Sequence, residues 1–256
     1  MDLQLAGKRA LVTGATHGIG RAIAETLAAE GCHLSICALD EQAVASTVAS
    51  LQAKGVDAYG AAFNIMQDDD LKHWVANSAA QLGGLDIIVS NVGAMAMATD
   101  RESWQKNFNL DVMGLVNLAA AGESYLEAAA QERGDAALVA ISSTAAAAIT
   151  SAQSYGAVKA ALIHYVKGLA KDFAPRNIRA NTVAPGMVYF EGGVWNRIEQ
   201  DTPEQYQAAL ARNPMRRMAA PQDIANAVVF LASPRSSFTS GINMIVDGAM
   251  TDRVNY

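Results

Sequence analysis

The 256-residue chain has little cysteine, histidine, proline or charge. Its two cysteines, Cys32 and Cys37, lie five apart in what reads as one strand. They therefore point to opposite faces and cannot pair with each other. Both fit small core residues in a reducing compartment, so a cytoplasmic location is expected. The four histidines (His17, His33, His73 and His164) are scattered, and no Cys/His set has metal-ligand spacing, so no metal is expected. No apolar run approaches the roughly 20 residues a membrane helix needs. The opening Met1-Asp2-Leu3-Gln4-Leu5 has no basic region followed by an apolar stretch. Neither a membrane span nor a leader is expected. Charged residues make up 17% of the chain, against about 25% in ordinary soluble proteins. That sparseness fits surface buried between subunits, and it equally fits an alanine-rich composition. The net charge of −6 argues against nucleic-acid or anionic-membrane partners. No Pro/Gly/Ser-rich linker and no repeat divides the sequence, which predicts one domain over 1–256.

Strand and helix patterns alternate along the chain. Residues 8–13, 33–38, 57–63, 85–90, 137–143, 177–184 and 242–246 read as strands. Helical periodicity falls over 41–54, 68–81, 102–131, 155–173 and 221–231. This order predicts an α/β fold: a doubly wound parallel sheet of about seven strands with helices on both faces. Between the first strand and its helix lies Thr13-Gly14-Ala15-Thr16-His17-Gly18-Ile19-Gly20. Missing side chains at Gly14, Gly18 and Gly20 let backbone approach a pyrophosphate. The N–H groups of the following helix, Ile19 among them, point at it. The spacing is G-x-x-x-G-x-G, and its place between strand and helix makes it a nucleotide signal. The second strand ends near Asp40. An acidic group there accepts bonds from the adenosine ribose and repels a 2′-phosphate. No Arg or Lys occurs from 32 to 40, which favours NAD. Asp40 also reads as a helix cap before Glu41, and His17 and Arg21 keep a phosphate, hence NADP, open.

Tyr155 and Lys159 sit at i and i+4 on the helix beginning near 155, on one face and a turn apart. An ammonium near a phenol favours the phenolate and suits it to proton transfer. Together with the Thr13–Gly20 turn, Ser90-Asn91-Val92-Gly93, Asn109, Ser142-Ser143 and Asn181-Thr182-Val183-Ala184-Pro185-Gly186, the pair forms an ordered set of motifs. On these the chain resembles the short-chain dehydrogenase/reductase family over nearly its whole length, with its Rossmann-type fold.

The resemblance implies roles. Asn64, where the family usually has Asp, would accept from the adenine amino group beside Ile65. Asn91 and Gly93 would pack beside the ribose, and Asn109 would be the Asn of the catalytic tetrad. One serine would face the substrate oxygen. Spacing to Tyr155 selects Ser142, while aligning the strand selects Ser143 with a one-residue shortening of the loop 144–154; the second is favoured because loops absorb deletions. Tyr155 would be the general acid/base, and Lys159 would support it and hold the ribose. Pro185, Gly186 and Val188 would turn under the nicotinamide. Tyr189 or Phe190 stands where relatives place a Thr on the carboxamide. Residues 189–218 interrupt the alternation and read as a mobile lid. Tyr189, Phe190, Trp195 and Tyr206, with Met95 and Met97, would form an apolar pocket, or simply pack an inserted helix. The helix 155–173 and the tail 247–250 suggest a homo-oligomer, dimer or tetramer. The implied activity is hydride transfer between NAD or NADP and a secondary alcohol or ketone, on a lipophilic or aromatic small molecule. Two alternatives remain. One is an NADPH-dependent reductase of 3-oxoacyl groups on acyl carrier protein, with Arg212, Arg216 and Arg217 as a basic rim. The other is a nucleotide-binding scaffold without chemistry.

Overall fold

The structure, a computed structural model, describes residues 1–149 and 151–252. Thr150, inside the loop 144–154, and the last four residues of the predicted 1–256 domain lie outside the described residues. The strands are β1 (Arg9–Thr13), β2 (His33–Ala38), β3 (Ala58–Ala62), β4 (Ile87–Ser90), β5 (Ala136–Ile141), β6 (Ile178–Pro185) and β7 (Asn243–Val246). They form a parallel sheet in the order β3-β2-β1-β4-β5-β6-β7. The predicted seven-stranded parallel sheet is therefore present.

The helices are α1 (Gly18–Ala29), α2 (Glu41–Gln52), α3 (Asp68–Leu82), α4 (Arg101–Asn107), α5 (Gly114–Arg133), α6 (Ser154–Phe173), α7 (Val194–Asp201), α8 (Pro203–Arg212) and α9 (Pro221–Ala232). Strand alternation sorts the core into two layers. Ala10, Val12, Leu34 and Ile36 face α1 and α9, whereas Leu11 and Cys37 face the side of α3, α5 and α6. Cys32 lies in the first layer and Cys37 in the second, so the two thiols are on opposite faces.

Local signals set the boundaries. Asp40 accepts from Ala43 N at 2.7 Å to cap α2, and Asp100 accepts from Ser103 N at 2.8 Å to cap α4. Pro203 and Pro221 open α8 and α9, where a missing N–H costs nothing. The expected long helix over 102–131 is continuous but not uniform. A π-helical turn, Phe108–Met113, joins α4 to α5. Strand β5 ends at Ile141; Ser142 N still donates to Val183 O of β6 at 2.7 Å, and Ser143 is the first residue beyond that bond. Because the strands are parallel, every following loop emerges at one edge. The order reverses between β1 and β4, which opens a crevice there.

Candidate active site

The glycine turn sits in that crevice. Gly14 and Gly18 have φ of 65° and 53°, conformations that cost an L side chain energy. A Cβ on Gly20 would drive into the Gly14 carbonyl oxygen and Asn91 Nδ2. Asn91 straps the turn, donating from Nδ2 to the carbonyls of Thr13 and Gly14 at 3.1 Å each. Thr13 Oγ1 accepts from Asn91 N at 3.0 Å, tying β1 to β4. His17 precedes α1 in an extended conformation and its side chain makes no cap bond. The first N–H groups of α1 are thus not used by a cap, and the cradle fits a dinucleotide pyrophosphate. Phe190 lies over it: a Cβ on Gly18 would be 2.7 Å from the ring, and the His17 and Phe190 rings are 6.3 Å apart.

The neighbouring strand tips hold the other expected cofactor residues. Asp40 is exposed, with one oxygen committed to the α2 cap. Arg21 is tied down by Glu25 at 2.7 Å and Thr47 at 3.3 Å. Asn64 is exposed, and its Oδ1 accepts from Met66 N at 3.1 Å in a local turn. Ile65 is buried and fills the space left by Gly114, whose added Cβ would lie 3.1 Å away. At the other end, Pro185 closes β6 and Gly186 N donates to Val246 O at 3.0 Å. Val188 is held by a short bridge to Ala219.

Tyr155 is half-buried in the first turn of α6, and Lys159 lies one turn on, almost fully buried. The ammonium is 5.9 Å from the centroid of the Tyr155 ring. It donates to Ile141 O at 3.0 Å and lies 2.8 Å from Asp111 Oδ1. Asp111 Oδ2 accepts from Ala94 N at 2.8 Å. Gly93 makes room for the pair, since a Cβ there would sit 3.0 Å from Asp111 and 3.1 Å from Lys159. Ser142 is buried and donates from Oγ to Lys159 O at 2.9 Å, which commits its proton to the backbone. Ser143 is partly exposed, and its Oγ accepts from Ala145 N at 3.1 Å. Its hydroxyl proton is not committed by that bond.

Asn109 is not placed as expected. It is exposed, while Asp111, two residues on, is 2% exposed and reaches Lys159. Two residues correspond to roughly half a helical turn, so the two side chains leave opposite faces. Asn107 is also fully buried. It accepts from Ala96 N at 3.0 Å and donates to Ala96 O and Ser154 Oγ, both at 2.8 Å. It ties the loop after β4 to the start of α6. The signal for both residues is the buried register that continues through Leu115, Leu118 and Gly122.

The expected pocket residues divide into three groups. Tyr189, Trp195 and Tyr206 gather on Met187, Ala209 and Met218, with the Tyr189 and Tyr206 rings 5.9 Å apart. The Tyr189 phenol donates to Glu199 and accepts from Asn196 Nδ2. The bond to Glu199 holds this phenol above its ordinary value. Phe190 instead packs on the α1 side of the core. Met95 and Met97 are 48% and 55% exposed on the loop after β4, outside the aromatic cluster. The segment 189–218 contains two short helices, α7 and α8, that close on this small core.

Known proteins resemble the chain over almost all of its length. The family model described as enoyl-(acyl carrier protein) reductase matches residues 14–251. Isoepoxydon dehydrogenase of Penicillium expansum is 35% identical over 253 residues, spanning 96% of this chain and 95% of that protein. Human dehydrogenase/reductase SDR family member 4 is 33% identical, over 98% of this chain and 90% of that protein. The structure of L-sorbose reductase from Gluconobacter frateurii, complexed with NADPH and L-sorbose, superposes with a TM-score of 0.91 at 30% identity, covering 99% of this chain and 100% of that one. With the glycine cradle, the Tyr155–Lys159 pair and this likeness along the whole length, the chain belongs to the short-chain dehydrogenase/reductase family.

Proposed function

We propose that the protein is an NAD(P)-dependent oxidoreductase that interconverts a secondary alcohol and a ketone. The observation that carries this reading is the Lys159 ammonium 5.9 Å from the Tyr155 ring, at the same sheet edge as the uncapped glycine turn. Gly14, Gly18, Ile19, Gly20 and His17 would hold the pyrophosphate. Asp40, Asn64 and Ile65 would meet the adenosine, and Gly93, Pro185, Gly186, Val188 and Lys159 the nicotinamide half. Asn91 supports the cradle from beneath. When bound, the dinucleotide supplies or takes the hydride.

Tyr155 gives its phenolic proton to the ketone oxygen, or takes the proton of the alcohol. Lys159 stabilises the negative charge that this leaves on the phenol. Ser143 donates to the substrate oxygen, where charge grows in the transition state. Ser142 holds the backbone of α6 through its bond to Lys159 O. The 189–218 segment acts as a lid that excludes water, and its partly buried Tyr189 and Trp195 suit a lipophilic or aromatic substrate. Phe190 shields the glycine turn. Exposed Trp104, Phe108 and Met113, on α4 and the π-helical turn, favour a homo-oligomer, dimer or tetramer.

The absence of Lys and Arg from 32 to 40, and the engagement of Arg21 by Glu25, favour NAD over NADP. An acyl-carrier reductase would need a free basic rim. Arg217 is paired with Asp223 at 2.6 Å, and Arg216 donates to Ala211 O at 2.9 Å. Parallel titrations with NADH and NADPH, read by nicotinamide fluorescence, test the cofactor assignment. Tighter NADH binding supports it. A clear preference for NADPH moves the phosphate contact to His17 and Arg21 and favours the acyl-carrier reading. Binding of neither supports a scaffold.

A further inference from the structure

The Lys159 ammonium is paired with a buried carboxylate, and this pair bears on the charge at Tyr155. Asp111 is 0% exposed in its side chain and Lys159 is 4% exposed, and Oδ1 lies 2.8 Å from Nζ. Oδ1 has no directed hydrogen bond, so it meets the ammonium as a charge. The carboxylate cannot swing away without breaking the Ala94 N–H bond to Oδ2, 2.8 Å long. The ammonium is held from the other side by Ile141 O at 3.0 Å. A side chain at Gly93 would press on both members of the pair.

The charges on the other packed elements are engaged elsewhere or exposed. Arg179 of β6 is bound to Asp135 and Ser236. Arg176, following α6, is bound to Glu123 and Glu127 of α5. Arg101, Glu102 and Lys106 of α4 are exposed. Lys171 and Asp172 lie more than two turns further along α6 and are exposed. Among the described residues, Asp111 and Tyr155 are the ionisable groups that meet Lys159.

We propose that Asp111 is a positioning residue that sets the proton-transfer range of this site: it offsets the Lys159 charge, so that Tyr155 works beside an ion pair rather than a lone cation. The inference rests on the reading of Tyr155 and Lys159 as the proton-transfer pair. An opposite charge nearby favours an ionised group and a like charge disfavours it. Removing the carboxylate charge therefore extends phenolate formation, and alcohol oxidation with it, to lower pH.

The test compares wild type, Asp111→Asn and the charge-retaining Asp111→Glu. Tyrosinate absorbance against pH is read for each as the difference from the same protein carrying Tyr155→Phe. This readout needs no substrate, so it stands even where no ketone or alcohol is turned over and the functional reading itself fails. The expected result is a tyrosinate midpoint at lower pH in Asp111→Asn, with Asp111→Glu at the wild-type midpoint. Where turnover is measurable, the kcat/KM profile for alcohol oxidation shifts with it, and the rate on the acid side rises several-fold. Coincident midpoints in wild type and Asp111→Asn, or equal shifts in Asp111→Asn and Asp111→Glu, would overturn the proposal. Should Asp111→Asn fail to fold, Asp111→Ser takes its place in the same comparison.

Discussion

Tyr155 carries its chemistry in one hydroxyl, so the smallest change there is the most telling. Tyr155→Phe keeps the ring beside the Lys159 ammonium and removes the hydroxyl, and with it the proton that is transferred. We expect cofactor binding to be retained and turnover to fall by roughly 10²–10⁴-fold, the range for acid/base catalysis, as read by steady-state kinetics beside nicotinamide fluorescence. Gly20 makes a different kind of prediction. A methyl group there collides with the Gly14 carbonyl and Asn91 Nδ2, both parts of the cradle. Gly20→Ala should cost about 1–3 kcal/mol of stability by overpacking, measured by urea unfolding, and should weaken dinucleotide binding. The thiols give a third. Burial pushes Cys32 and Cys37 up to about 12 each. Little thiolate forms at pH 8, so Ellman's reagent should leave the native protein unlabelled and react with both thiols once it is unfolded. At this scale the residues with short-range signatures were legible from sequence: the glycines beside a strand, and the i, i+4 pair of Tyr155 and Lys159. Asp111 was not, because its significance lies in reaching Lys159 across 48 positions of sequence.

The segment from Arg101 to Arg133 shows how one element sets the site. Its periodicity reads as a single helix, and alanine makes every face look alike. The π-helical turn at Phe108–Met113 interrupts that regular geometry. Asn107 and Asp111 face inward and Asn109 faces water. A motif match that places a polar residue by sequence likeness cannot see which face it leaves, whereas the buried register of Leu115 and Leu118 can. Asn107 is the clamp of the loop after β4. Asn107→Ala removes the partner of Ala96 N and Ala96 O and of the buried Ser154 hydroxyl. We expect a loss of about 1–3 kcal/mol for buried groups left unpaired, seen in thermal or urea unfolding, with a raised KM as the loop carrying Met95 and Met97 loosens. The lid divides along similar lines. Aromatic content alone put Tyr189, Phe190 and Trp195 in one pocket. Tyr189 and Phe190 are consecutive residues just before a turn that Gly193 N closes on Phe190 O, and one ring goes to the lid core while the next lies over Gly18.

At the scale of the molecule, the parallel sheet gathers residues from Gly14 to Val188 at one edge. Alternating strand and helix patterns announce that arrangement, because each strand buried on both faces is a short apolar run and each crossover is a helix. The strand order, and with it the crevice between β1 and β4, is not set by the alternation, which is compatible with more than one doubly wound order. Nor does the alternation encode side-chain reach between loops, which is where Ser142, Ser143 and Asp111 acquire their different surroundings. The chemistry proposed for that edge is hydride transfer coupled to proton transfer at Tyr155. It is tested most directly by following NADH and NADPH oxidation against a panel of ketones, with wild type and Tyr155→Phe side by side and cofactor binding measured for both. The expected result is turnover by wild type with at least one cofactor, and near-complete loss in Tyr155→Phe with binding intact. Cofactor binding without turnover on any ketone, or a Tyr155→Phe protein that keeps most of its activity, would contradict it.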